Sequence, residues 1–213
     1  MSASYAASAD ILKNIEGGYC MGAKCGTAAS GETYRGIDRN QAGKTWPGWQ
    51  YIDAWKRQYG QPKHNHFFTG TAGALINAAA DQFWASWWNK YGIGRLTNQH
   101  LAAMFYAWLA QGQTRAMADI NALAKKYGAT QTSSTTITAN AAAAINRNQA
   151  AVYSSLRKRI RDFYTSKGLT TLIKNRVDIF PVSISNTQAA AAGAAKAGGV
   201  FGWLAAMLGL SQI

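Results

Sequence analysis

The sequence predicts a mainly α-helical chain. Apolar residues recur at helical spacing almost to Pro181, and only 3 of 213 residues are proline. No segment alternates apolar and polar residues for long enough to read as a substantial strand. Stretches rich in Ala, Leu, Lys and Gln add helix propensity.

Taken in order, Ser8 or Asp10 is placed to cap a helix over Ile11, Leu12 and Ile15 that stops at Gly17-Gly18. Residues 19–49 are rich in Gly, Thr and Ser and predict loop, with a small hairpin near residues 19–40. Gln50 to Tyr59 predicts a helix with Ile52, Trp55 and Tyr59 on one face. Ala72 to Tyr91 predicts a longer one carrying two aromatic stripes, Phe83/Trp87/Tyr91 and Trp84/Trp88. At helical spacing such stripes are ordinarily core, though the first also has the chemistry to stack on sugars. Helices over Leu101 to Ala110 and Arg115 to Tyr127 follow, broken near Gly112, and a polar Thr/Ser loop fills 128–138. Further helices are predicted over Ala139 to Asn146 and Val152 to Ser166. Pro181 closes the ordered part. The organisation expected is a region over 1–95, a second helical region over 96–182 and an Ala/Gly-rich apolar tail over 183–213.

Hydrophobic residues make up 48% of the chain, with 8 Trp, 10 Tyr and 7 Phe, enough for a substantial core. Lys plus Arg number 22 against 9 acids, a net charge of +13. Such a surface adheres to polyanions, whether nucleic acid, anionic lipid or a bacterial envelope. No nucleic-acid-binding motif accompanies the charge, so a specific nucleic-acid partner is not expected. Cys20 and Cys25 are too few for a four-cysteine zinc site. Their spacing permits a local disulfide in an oxidising compartment and, equally, two free thiols. His64-Asn65-His66 has no partner cluster in the sequence, so neither metal nor cofactor is expected.

Acidic residues are scarce, and glutamate most of all: Glu16 and Glu32 are the only two. Glu16 ends an apolar helical pattern and is followed at once by Gly17 and Gly18. A carboxyl in that position is partly desolvated, as a general acid for glycosidic cleavage needs to be. The two glycines let backbone and a bulky polymer approach it closely. Glu32 and Thr33, in the segment "SGETYRGIDRNQAGKTWPGW", are the candidates for the opposing group. Trp46 and Trp49 in the same segment are candidate platforms for sugar rings.

"EGGY" at Glu16–Tyr19, "GETYRGI" at Gly31–Ile37 and "WPGW" at Trp46–Trp49 together resemble glycoside hydrolase family 108, the lysozyme-like muramidases of phages and bacteria. The family pattern reads approximately E-G-G-Y, a short Asp/Pro loop, then G-G-x-T-x-x-G-I. Glu16, Gly17, Gly18 and Tyr19 match its first block; Gly31, Thr33, Gly36 and Ile37 match its second. More faintly, Phe105 to Ala129 and Arg159 to Val177 are similar to the family's C-terminal part, with its R-x-x-F-Y helix and late N-R pair. The resemblance implies a lysozyme-like helical fold and metal-free cleavage of the β-1,4 bond between N-acetylmuramic acid and N-acetylglucosamine. It implies Glu16 as catalytic acid, with Tyr19, Tyr34, Gly36, Trp46 and Trp49 toward the substrate.

The chain departs from the pattern in its loop, "CMGAKCGTAAS", which is longer and carries no Asp or Glu, and in Ser30 where the first glycine of the pair would stand. The second catalytic group is therefore Glu32, or a water positioned by Thr33, or no carboxylate at all, with Thr33 favoured and Glu32 a weaker helper. A Cys20–Cys25 bridge could stiffen this altered loop. A lytic transglycosylase using the same acid without water, and a non-catalytic wall-binding or membrane-active protein on the same fold, are the alternative readings.

Peptidoglycan is the expected partner, and the periplasm or cell wall the expected place of action. The N-terminus has no basic region followed by a long apolar core, so it is not a standard signal peptide. The uncharged run from Ala197 is 17 residues, just short of the roughly 20 that span a bilayer. It reads either as a helix or linker folded back on the body, or as a segment that seeks an anionic membrane surface.

Overall fold

The structure, a computed structural model, describes residues 2–22, 31–40 and 44–186. It is mainly helical, with eight α-helices and one small antiparallel sheet among these residues. The expected hairpin is realised as three short strands.

Helix α1 (Tyr5–Glu16) leads into β1 (Tyr19–Met21), β2 (Glu32–Tyr34) and β3 (Ile37–Asp38), in sheet order β1-β2-β3. Then come α2 (Gly48–Tyr59), α3 (Gly70–Lys90), α4 (Gln99–Gln111), α5 (Gln113–Lys126), α6 (Ala139–Arg147), α7 (Gln149–Ser166) and α8 (Thr170–Arg176). The N-terminal cap of α1 is Ser4, not Ser8 or Asp10. Both of those lie inside the helix, where the Ser8 hydroxyl donates to the Ser4 carbonyl and accepts from Gln99.

Helix α4 is the centre of the molecule. Every residue from Leu101 to Leu109 is buried. A helix apolar all round is stable only when enclosed, and here α1, α5 and α7 pack against it. Asn98 caps its start through a bond from the Leu101 amide, 3.0 Å. Trp108 on α4 donates to Asp119 on α5, and Arg159 on α7 donates to the same carboxylate. Residues 1–95 and 96–182 therefore contribute to one continuous core, which runs from Ala3 to Ile184.

The sheet is fixed by its turns and its register. Arg35 and Gly36 both have positive φ, 49° and 73°, as a two-residue type I′ hairpin requires. Arg35 is held there by Asp81 at 2.8 Å, and its carbonyl accepts from Trp84 at 3.0 Å. Pairing sets Cys20 opposite Thr33 and Thr33 opposite Asp38. Directly opposed residues share a face, so these three form a row. The adjacent rows, Tyr19/Tyr34/Ile37 and Met21/Glu32, follow the same register, and Tyr19, Tyr34 and Ile37 are buried on the core side.

The Gly-Gly pair after α1 has a local cause. Gly17 turns the chain at φ 69°. Gly18 passes so close to the 65–66 backbone that a β-carbon on it would meet the His66 carbonyl oxygen at 2.5 Å. The Gly18 amide donates to Asn65 Oδ1 at 2.7 Å, and Tyr19 pairs with His66 as an isolated bridge. The glycines admit the protein's own backbone rather than a polymer.

Residues 187–213, which hold most of the apolar tail, lie outside the described residues. No described helix is long and apolar enough to cross a membrane.

Gly18→Ala should destabilise the fold by about 1–3 kcal/mol, the usual cost of forcing atoms into packed space. Urea unfolding followed by circular dichroism checks this.

Candidate active site

At the C-terminal end of α1 the Glu16 side chain is 8% exposed. It lines a cavity of about 410 Å³ together with Gly17, Gly18, Thr33, Asp38, His64, Gln111 and Arg176, a volume in the range of small-ligand sites. The carboxylate is not alone. Arg176, at the end of α8, donates to Glu16 Oε1 at 2.6 Å and approaches Oε2 at 3.4 Å. Gln111, at the end of α4, donates to Oε1 at 3.0 Å. Elements 95 and 160 residues away thus close over the acid.

Gly36 presses on Glu16 from the sheet. A β-carbon there would meet Glu16 Oε2 at 2.6 Å and Cγ at 2.9 Å. This glycine is needed both for the turn and for the carboxylate beside it.

Thr33 lines the cavity, as expected. Glu32 does not: successive strand residues point to opposite faces, so if Thr33 faces the cavity its neighbour cannot. The Glu32 carboxylate accepts from Tyr19 at 2.5 Å, Lys56 at 2.6 Å and Arg39 at 2.6 Å. Arg39 continues to Asp53 through two bonds, 2.8 and 2.6 Å. Burial pushes the Glu32 carboxyl up, but the bonds from Lys56, Tyr19 and Arg39 outweigh it and hold it below the ordinary value. Glu32 is a structural anion rather than a helper of Glu16.

In its place the structure supplies Asp38. It stands beside Thr33 on β3 and lines the same cavity as Glu16. Its Oδ1 accepts from the Asn40 amide at 2.9 Å, and its Oδ2 is buried without a hydrogen-bond partner. Eight of the nine acidic residues take part in ion pairs; among the described residues Asp38 makes none. Among the described residues this carboxylate stands in the cavity without a cationic partner. The sequence held a usable signal: the Arg-Gly turn places the residue after Ile37 opposite Thr33.

The predicted substrate-facing aromatics are elsewhere. Tyr34 is fully buried with its hydroxyl on Asn77 at 2.7 Å. Trp46 and Trp49 are buried and packed edge to face, and Arg39 lies over the Trp49 ring. Tyr19 contributes to the cavity wall, but its ring is buried and its hydroxyl is bound to Glu32. These residues pack inward because the Gly-rich segment folds over α2 and α3 instead of standing out in solvent.

Cys20 lines the cavity and is disulfide-bonded; Cys25, the other cysteine of the chain, lies outside the described residues. His64 lines the cavity, whereas His66 packs on Trp55 and Phe68. Among the described residues no three His, Cys, Asp or Glu side chains converge as metal ligands do.

Comparison of the chain with protein-family models, with curated proteins and with solved structures returned no match.

Two outcomes follow from this arrangement. Gly36→Ala should displace the Glu16 carboxylate without removing any polar group from the cavity, and a crystal structure of the variant reads that displacement directly. Glu32→Gln should destabilise the protein by roughly 1–3 kcal/mol at neutral pH, by weakening the hydrogen bonding and charge balance of Lys56 and Arg39. The Glu32 and Asp53 carboxyls are held below their unfolded values. Their contribution is therefore complete above pH about 4 and lost as the pH falls through the folded values. Urea unfolding at pH 7 and pH 3 should show a smaller pH dependence for the variant than for the wild type.

Proposed function

We propose that this chain is a peptidoglycan hydrolase, cleaving the β-1,4 bond between N-acetylmuramic acid and N-acetylglucosamine, with Glu16 as general acid. The observation that carries the reading is the pair of carboxyl groups in one cavity: Glu16, enclosed at a helix end, and Asp38, unpaired beside Thr33. Glycoside cleavage by this chemistry needs two such groups flanking the bond, one to protonate the leaving oxygen and one to stabilise the oxocarbenium-like centre or activate water. The resemblance of "EGGY" and "GETYRGI" to family 108 glycoside hydrolases supports the same assignment. The charge of +13 favours adhesion to an anionic cell wall.

In this reading Arg176 and Gln111 hold the Glu16 carboxyl toward the cavity before substrate arrives. A bound glycan offers its N-acetyl carbonyl and hydroxyls as alternative acceptors; as the guanidinium turns to them, the released Glu16 carboxylate takes up a proton from solvent and then gives it to the glycosidic oxygen. Thr33 and Asp38, neighbours on one sheet face, hold the water or face the cation at the sugar's anomeric carbon. The site of action is the periplasm or cell wall, and the apolar tail beyond Asn186 supplies contact with anionic membrane.

Digestion of purified peptidoglycan with mass analysis of the products tests the reading. Reducing-end muramic acid products are expected. A 1,6-anhydro end would instead mark a transglycosylase, and binding without product a wall-binding protein. Glu16→Gln should lower turnover by about 10²–10⁴-fold, the range of general-acid contributions, with the circular dichroism spectrum unchanged. Asp38→Asn should cost at least about 10²-fold, and Thr33→Ala less. Retention of near-wild-type rate by Asp38→Asn would return the second role to a Thr33-bound water.

A further inference from the structure

We infer that the exposed side of α3 carries a saccharide-stacking subsite, built on Phe83 and Trp87, that extends the Glu16 cavity beyond Asp38. A second hollow, about 150 Å³, shares Gly36, Asp38, Ala110 and Gln111 with the acid cavity and continues to Phe83 and Trp87. Phe83 also borders a third hollow of about 260 Å³, beside Thr45, Trp46, Pro47 and Gln82. Through these shared residues the three hollows follow one another from Glu16 past Asp38 to Phe83, as the binding path of a linear polymer does.

The aromatic residues of α3 divide by face. Trp84 and Trp88 are buried, and Trp84 is fixed by its bond to the Arg35 carbonyl. Phe83 and Trp87, one turn apart, are only half-buried. Their rings lie 5.5 Å apart, inclined by 37°, and Trp84 and Tyr91 pack edge to face against Trp87. Both rings are thus braced from behind by the core and reach solvent in front.

Around them stand polar groups. Asp38 and Gln111 lie at the junction with the acid cavity. Gln113 accepts from the Tyr91 hydroxyl at 2.5 Å, which leaves its amide nitrogen to donate outward. A braced aromatic surface with a rim of carboxylate and carboxamide suits a pyranose ring, whose C–H face is apolar and whose edge is hydroxyl and N-acetyl. The ligand class is a β-1,4-linked N-acetylated amino sugar chain, and the subsite holds the unit on the Asp38 side of the bond to be cleaved. The inference rests on the glycan-cleaving reading and gives that site its length and direction.

The test measures binding of chitohexaose to the full-length protein by isothermal titration calorimetry, alongside hydrolysis of peptidoglycan. Trp87→Ala should weaken chitohexaose binding by about tenfold and raise KM with little change in kcat. Trp87→Phe, which keeps a ring against Trp84 and Tyr91, should restore most of the loss, and Gln113→Ala should weaken binding with the circular dichroism spectrum unchanged. Affinity within twofold of wild type in both Trp87→Ala and Gln113→Ala overturns the subsite even if peptidoglycan is cleaved. Wild-type protein that fails to bind chitohexaose overturns it as well. Trp87-dependent binding without any cleavage product keeps the subsite and removes the hydrolase reading.

Discussion

Helix α4 has no polar face between Leu101 and Leu109, and that constraint organises the molecule. A nine-residue segment buried on every side needs neighbours all round. The chain supplies α1 from its beginning, and α5 and α7 from later on. The same enclosure explains the position of the cavity. Where α4 ends, at Gln111, the shell around it is interrupted, and the ends of α1 and α8 meet there with the sheet. A polar pocket at the tip of an apolar helix is where the two carboxylates are found.

The electrostatics divide along the sheet. On the core side Glu32 is satisfied by Tyr19, Lys56 and Arg39, a network that ties β2 to α2. On the cavity side Thr33 and Asp38 form a row, and Asp38 makes no ion pair among the described residues. Neighbouring residues of one three-residue strand thus differ in purpose through the pleat alone. Ion pairs quench most of the carboxylates elsewhere, so the cavity holds the contrast between a paired acid, Glu16, and an unpaired one, Asp38.

Much of the helical architecture is legible in the sequence because its punctuation is local. Gly17, Gly112 and Gly128 stop helices where the periodicity says they should, and the 3.6-residue pattern of α3 and α7 needs no tertiary information. The start of α1 was less legible, since Ser4, Ser8 and Asp10 all carry capping side chains and only packing against Gln99 decides among them. Glu16 is legible from its helix-end setting. Asp38 is legible only through the Arg-Gly turn that sets it opposite Thr33, since the strands are too short to show alternation, and Arg176 is not legible, because no local pattern announces a contact across 160 residues. Trp46 and Trp49 show the limit of a composition argument: aromatic residues in a Gly-rich segment look available to ligand, yet both rings are buried, and Trp46 only borders a hollow. The available aromatics are instead on α3, within a stripe whose spacing suggests core.

The reach of Arg176 back to Glu16 has a consequence for how the site comes into being. A contact of such sequence separation raises the contact order of the region, and in two-state proteins high contact order goes with slow formation. Closing a longer loop adds little extra entropy, since the cost grows only with the logarithm of its length. The penalty is thus mainly one of timing. During synthesis from the N-terminus, α1 and the sheet precede α8, so a nascent chain presents Glu16 to solvent without its guanidinium partner. The completed cavity belongs only to the chain that has carried its last helix home.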